Sequence, residues 1–587
     1  MAVNGCARIS NPPLLIWYFG NVVLWSTPQS KVEDLLGKAH TRRSRSGGGR
    51  LLYWFIDFSS SVEKKKALVP SGDAEEMVLS TDMEVDCWLR FPSLDLDFGS
   101  GRPDFFVPSY LPVEGRTDVY RAFRRKRTWN PSNMTSTHWS RRIQNICGLK
   151  MKIKKESSRL VQPIYEGSSS PTANVFMPLS PFDTVTFDAH VGFIYVYKPP
   201  NPPNKLIELG LRRVLAEYRE WAGRLVHDRE GNRCILLNDA GVRFVEASSD
   251  HPLGRIDQPS PHYLQLHPPL EGAEELAQVQ LTRFSCGSLV LGLTTHHVVA
   301  DGFSISNFLV SWGKATRSLP IRPLPFRDRS IFLPRNPPKF QFDHCGWEYM
   351  KARPSPDVNG GASAMDVTVA PIVVHKAYFP SQFLQQLKAK ASAHGAAKPY
   401  TTFESLTAHI WRLVTRVRRL CGSETTQIRI SVNGRTRMSN PKAPMDYFGN
   451  LVLWAFPRSK AADLLNQPLS HAARLIHDAI AGVNNDYFRS FIDYSSSKTK
   501  MQGLVPTADM NKKVLCPNLE VDSWLRFPFY DVDFGGGCPY VFTPSYFPEE
   551  GMIFIVPSIM GNGDIDAFVP LFQEDVDGFR RICYSLD

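Results

Sequence analysis

Apolar and polar positions follow two rhythms from residue 151 onward, a period near 3.6 and short apolar runs, and together they read as alternating helices and strands. Residues 192–197 form an apolar run predicting a strand. Residues 205–226 predict a helix with Ile207, Leu211, Val214, Leu215, Tyr218, Ala222 and Leu225 on one face. Strands are expected at 233–237, 242–245 and 277–284. Residues 286–294 read as a buried strand running straight into His296-His297-Val298-Val299-Ala300-Asp301-Gly302, followed by a helix with Ile305, Phe308, Leu309 and Trp312 inward. A Pro-, Gly- and Ser-rich stretch then interrupts the pattern, and residues 353–366 read as a crossover between two halves, 151–352 and 367–587. The second half opens with a helix over 402–420, whose Thr401 and Glu404 have capping-box spacing and whose inward face carries Phe403, Leu406, Ile410, Leu413 and Val417. Strands follow at 428–432, 450–454 and 552–557.

The stretch before residue 151 behaves differently. Residues 11–116 repeat residues 440–551: Tyr18-Phe19-Gly20-Asn21 matches Tyr447-Phe448-Gly449-Asn450, Trp88-Leu89-Arg90-Phe91-Pro92 matches Trp524-Leu525-Arg526-Phe527-Pro528, and Asp97-Phe98-Gly99 matches Asp533-Phe534-Gly535. Two copies some 430 residues apart are a duplicated fragment, since the units of a solenoid abut one another. Residues 117–150 have no apolar period and read as a disordered basic linker. Residue 151 opens a new pattern, as though a truncated tail of a related sequence preceded an intact one. Without a first half, residues 1–116 are not expected to form a site of their own. The resident copy at 440–551, continuous with the final strands, is expected to hold its place because it needs no long loop closure.

Composition narrows the class. At 587 residues more than one domain is expected. Ten scattered cysteines, with no CxxC pair or Cys/His cluster, argue against a disulfide framework and a metal site, and for a reducing compartment. No run of 18 apolar residues occurs, so a soluble, cytoplasmic protein without a membrane partner is expected. Much of the net charge of +11 gathers between residues 116 and 155 without interleaved aromatics, so it reads as a solvated linker and no nucleic-acid partner is expected. A modest basic surface also suits a phosphate-bearing substrate.

The chemistry points to His297. It lies just past an apolar strand, with the small turn Ala300-Asp301-Gly302 behind it, and an imidazole pinned there can accept a proton from a nucleophile near neutral pH. His297 and Asp301 alone form only an HxxxD pattern, for which a satisfied turn histidine is the competing reading. Three segments in order, HHVVADG at 296–302, YFGN at 447–450 and DFGGG at 533–537, resemble together the motif set of the BAHD acyltransferases across residues 151–587. Within that family the chain is similar to the monocot agmatine and tryptamine hydroxycinnamoyltransferases. The features that carry this are the MKI at 151–153, the YREWAGRL at 218–225, the LLNDAG at 236–241, the EVDSW at 520–524 and the CYSLD at 583–587.

The resemblance implies an α/β fold of two chloramphenicol-acetyltransferase-like domains with a channel between them, preceded here by a partial copy of the second. It implies a monomeric enzyme with acyl-CoA as co-substrate, no permanently bound cofactor, and transfer of a hydroxycinnamoyl group to an amine such as agmatine, putrescine or tryptamine. Transfer to an alcohol such as shikimate or quinate, or an inactive fused protein, is the alternative. His297 would be the base. Asp301 would turn away from substrate and pair with an arginine, for which Arg435 is the candidate, with Gly302 completing the turn. The DFGGG segment lacks the tryptophan of the family's commoner DFGWG, and Asp533 is carried as a catalytic candidate through the shape of its loop. A cationic acceptor asks for a carboxylate. Alternation puts Glu520 and Asp522 on one strand face, and Asp188 stands behind them as a third candidate. Trp454 is a candidate wall of the site, with a core tryptophan as the competing reading.

Overall fold

The computed structural model describes, besides four short strands before residue 120, residues 152–586 with gaps at 168–170, 173, 255, 257–258, 353–369, 394–397 and 509–512. The chain divides into two compact units, Met1–Trp139 and Ser140–Asp587. In the first, Ala2–Asn4 pairs antiparallel with Val23–Trp25, and Glu84–Cys87 pairs parallel with Arg116–Val119. The rest of the duplicated fragment and of the 117–150 linker lies outside the described residues, as does the 353–366 crossover.

In the second unit the apolar runs build two mixed sheets. The first has the order Val541–Pro544, His190–Tyr197, Leu289–His296, Ala277–Phe284, Val242–Ser249, Lys154–Val161, antiparallel except where Val242–Ser249 runs parallel to Ala277–Phe284. Leu289–His296 is buried along its whole length, as a central strand covered on both faces must be. The second sheet runs Ile372–Phe379, Ile565–Phe572, Met552–Pro557, Leu519–Ser523, Thr425–Asn433, Val452–Ala455. Leu519–Ser523 is parallel to both of its neighbours and belongs to the resident copy of the duplicated segment.

The amphipathic helices seal these sheets. Gly302–Thr316 buries Ile305, Phe308, Leu309 and Trp312, and the Trp312 indole donates to Ile207 O at 2.8 Å, tying it to the Asn204–Glu217 helix. Thr402–Val417 begins with a complete capping box, Thr401 Oγ1 accepting from Glu404 N at 3.2 Å while the Glu404 carboxylate accepts from Thr401 N at 2.7 Å.

The structure corrects one expectation. The helix predicted over 205–226 stops at Glu217: Tyr218 leaves helical geometry, a 3₁₀ turn spans Arg219–Ala222, and Arg224–His227 pairs antiparallel with Arg233–Leu237. The Asp228 carboxylate makes that hairpin turn by accepting from Glu230 N at 2.9 Å and Asn232 N at 2.8 Å, so apolar spacing alone overran a turn spelled by Asp228 and Gly231. The two halves interlace: Val541–Pro544 crosses into the first sheet, while Phe182 and Val185 pack into the core of the second. Phe542 anchors the crossing strand, its ring stacked 3.9 Å from that of Phe529. Removing so buried a ring costs ~3–5 kcal/mol.

Candidate active site

The two sheets face each other across a narrow cavity of about 150 Å³, lined by Val191, Gly192 and Phe193 from the first and by Ser431, Val452, Trp454, Asp522 and Phe554 from the second. His297 reaches it from the end of the Leu289–His296 strand. Its backbone N–H donates to Ala189 O at 2.9 Å, and its carbonyl accepts from Asn450 Nδ2, also at 2.9 Å. Asn450 is held in turn by the buried Asp183, whose Oδ1 accepts from both the Asn450 backbone (3.1 Å) and side chain (3.0 Å). The imidazole is half-buried; Nδ1 lies 3.0 Å from Thr186 Oγ1, and the ring meets Phe187 edge-on at 5.9 Å. Burial holds the pKa of His297 below its ordinary value, while the carboxylates of Asp522 and Asp301 pull it back up.

Asp301 faces away from the imidazole. Its Oδ1 caps the Gly302–Thr316 helix by accepting from Ser304 N at 3.0 Å, and its Oδ2 accepts from Leu451 N at 2.9 Å and from Arg435 Nη1 at 2.7 Å. Arg435 also donates to Ser304 Oγ (2.7 Å), Tyr447 O (2.9 Å) and Gly449 O (3.0 Å), so one buried guanidinium ties the turn after His297 to the YFGN segment. Gly302 lies in the cavity wall, where a Cβ would stand 2.7 Å from the Phe527 ring.

The second sheet supplies the anionic wall. Asp522 faces the cavity with Ser431 as hydrogen-bond partner. Burial raises its pKa, opposed by that bond and by the positive potentials of His297 and Arg429. Trp454 lines the same wall, with the Arg429 guanidinium stacked 3.8 Å from its ring centroid. Glu520 sits one alternation behind Asp522, buried, its Oε1 3.7 Å from Arg429 Nε.

Glu520 and Arg435 do not line this cavity, and two further candidates lie apart from it. Asp533 Oδ2 accepts from Arg317 Nη1 at 3.0 Å, and its Oδ1 accepts from Gly535 N (2.7 Å) and Gly537 N (3.0 Å), shaping a loop whose backbone packs against Gly313. A direct part for Asp533 in proton transfer has no geometry here; it shapes its loop, with Gly535 and Gly537 in left-handed conformations (φ 109° and 99°). Asp188 pairs with Arg233 through two 2.7 Å bonds in a neighbouring cleft of about 680 Å³. Thr186 lines both that cleft and the cavity. Sequence reasoning did not single out Thr186, Ser431 or Arg429, none of which stands in a motif; Asn450 was present in YFGN without a role.

A family model described as the Transferase family matches residues 151–586, and the chain belongs to this family, the BAHD acyltransferases. It is 48% identical to the putrescine hydroxycinnamoyltransferase of Oryza sativa subsp. japonica over 458 residues, covering 74% of this chain and 100% of that protein. It is 47% identical to agmatine coumaroyltransferase-1 of Hordeum vulgare over 445 residues, again 74% of this chain and 100% of the relative. The crystal structure of vinorine synthase shares the mixed α/β fold with a TM-score of 0.54 at 21% identity, covering 73% of this chain and 96% of that one.

Proposed function

We propose that this cavity transfers a hydroxycinnamoyl group from a coenzyme A thioester to the primary amine of a small cationic acceptor such as agmatine or putrescine. The observation that carries this reading is a neutral-poised imidazole, His297, sharing one narrow cavity with a carboxylate, Asp522. The names of the relatives fit it. Cytoplasmic placement and a monomeric state complete the reading, the former supported by seven free cysteines among the described residues.

The chemistry follows from the geometry. In the tautomer whose Nδ1–H donates to Thr186 Oγ1, the lone pair on Nε2 is free to act as base. Burial favours neutral imidazole and equally favours the neutral form of an entering amine, which in water is held protonated by a pKa of ~10.4. The amine nitrogen attacks the thioester carbonyl carbon, the N–H proton passes to Nε2, and the tetrahedral adduct collapses by breaking the C–S bond. The proton then goes to the departing sulfur, giving amide and free coenzyme A, and no covalent enzyme intermediate is required. The donor would approach through the 680 Å³ cleft, where Lys351 offers positive charge, and the acceptor through the cavity beside Asp522. Asp522 would hold the acceptor's remaining cation, with Trp454 as a flat wall for its methylene chain.

Residues 151–587 would suffice for this activity, and the leading fragment is dispensable. Incubating the full chain and a form lacking residues 1–150 with p-coumaroyl-CoA and agmatine, putrescine, tryptamine or shikimate tests both statements. Amide formation by both forms supports the reading. Ester formation with shikimate and none with the amines would overturn it, and loss of activity on trimming would show that the fragment has been recruited.

A further inference from the structure

Asp522 is one of three charges on the same sheet face. Arg429 stands opposite Glu520 in the parallel pairing of Thr425–Asn433 with Leu519–Ser523, and Asp522 lies two residues further along, hydrogen-bonded to Ser431. Arg429 is packed between the rings of Trp454 (3.8 Å) and Phe187 (5.3 Å), both of which line the cavity, and its Nε is 3.7 Å from Glu520. Its Nε and Nη2 find no hydrogen-bond acceptor among the described residues. An arginine keeps its proton even when buried, so this is a fixed positive charge immediately behind the acceptor wall.

Resting on the proposed amine transfer, we infer that Arg429 is a specificity-determining residue that limits the acceptor to one cationic group beyond the reacting nitrogen. Two carboxylates and one guanidinium leave the wall a single net negative charge. Agmatine and putrescine, once the attacking nitrogen is neutral, carry one remaining cation and match it. A triamine such as spermidine brings a second, which meets Arg429 without a free carboxylate to receive it, because Glu520 already faces the guanidinium. In a site of low effective dielectric such a like-charge encounter is strongly unfavourable. The stack on Trp454 holds the guanidinium in place against rotation toward solvent.

The experiment measures kcat/KM of the full chain with p-coumaroyl-CoA for agmatine, spermidine and tryptamine, in wild type, Arg429→Met, Arg429→Lys and Glu520→Gln. Arg429→Met should raise the spermidine-to-agmatine ratio by on the order of tenfold, and Arg429→Lys should leave that ratio near wild type. Glu520→Gln leaves the cation uncompensated, so the agmatine-to-tryptamine ratio should fall, again by on the order of tenfold. Ratios within one variant cancel any general loss of folded protein, and Glu520→Gln tests the charge balance should Arg429→Met not fold. An unchanged spermidine-to-agmatine ratio in Arg429→Met, or an unchanged agmatine-to-tryptamine ratio in Glu520→Gln, overturns the inference while leaving amine transfer intact. A wild-type enzyme that acylates none of the three amines removes the reading beneath it and this inference with it.

Discussion

Asp301→Asn separates the scaffold of the site from its chemistry. The Asp301 carboxylate and the Arg435 guanidinium are both almost wholly removed from solvent, 2.7 Å apart. Asparagine keeps a side-chain oxygen for the Gly302–Thr316 cap, while its amide nitrogen takes the place of Oδ2, so Leu451 N and Arg435 both lose their acceptor along with the charge. Arg435 would then be a buried cation left with Ser304 Oγ and the carbonyls of Tyr447 and Gly449, softened by the rings of Phe303 and Tyr447 at 5.3 and 5.6 Å. Leaving one member of a buried pair uncompensated costs about 3–5 kcal/mol, and these neighbours place the expectation at the lower end. An unfolding entropy of ~2.1 cal/mol/K per residue, taken over residues 140–587, is about 0.9 kcal/mol/K, so Tm should fall by about 3 °C. Scanning calorimetry at a fixed rate measures this, alongside turnover of the folded enzyme well below the transition. Turnover should drop far less than in His297→Ala, because the carboxylate points at Arg435 and not at the imidazole. A Tm within 1 °C of wild type would refute the uncompensated-cation argument. A loss of turnover as deep as that of His297→Ala would show that Asp301 acts on the reacting centre.

Three further outcomes follow from the same geometry. His297→Ala should lower turnover by on the order of 10²–10⁴ with little change in Tm, and equal loss of both would mean that the residue is structural. Asp522→Asn should raise KM for agmatine more than for tryptamine. Because the Asp522 carboxylate raises the pKa of His297, its removal should also shift the acid limb of the kcat profile to lower pH; a limb that stays or moves up contradicts the electrostatic link. Thr186→Val removes the hydroxyl that partners Nδ1 and orients the ring, so kcat should fall while KM for the amine holds, whereas a change confined to KM would place Thr186 in substrate binding instead.

Short-range information in the chain was enough for much of this protein. The run ending at His296 had to be a buried strand, Asp301 stood at a helix start, Thr401 and Glu404 spelled a cap, and the alternation of Glu520 and Asp522 placed both on one face. These are decided by φ/ψ preference, side-chain reach over three or four residues, and period. The motif set named the family, which the match over residues 151–586 confirms. What local pattern could not supply is which distant groups meet. Thr186 reaches His297 across 111 positions, and Arg435 reaches Asp301 across 134. Arg429 takes its place beside Glu520 and Trp454 only because Thr425–Asn433 lies between their two strands. The turn at Tyr218 and the crossing of Val541–Pro544 belong to the same class, for the apolar positions there fit more than one partner. Tertiary packing chose among them by burying the rings of Phe529 and Phe542 and satisfying the strand edges together.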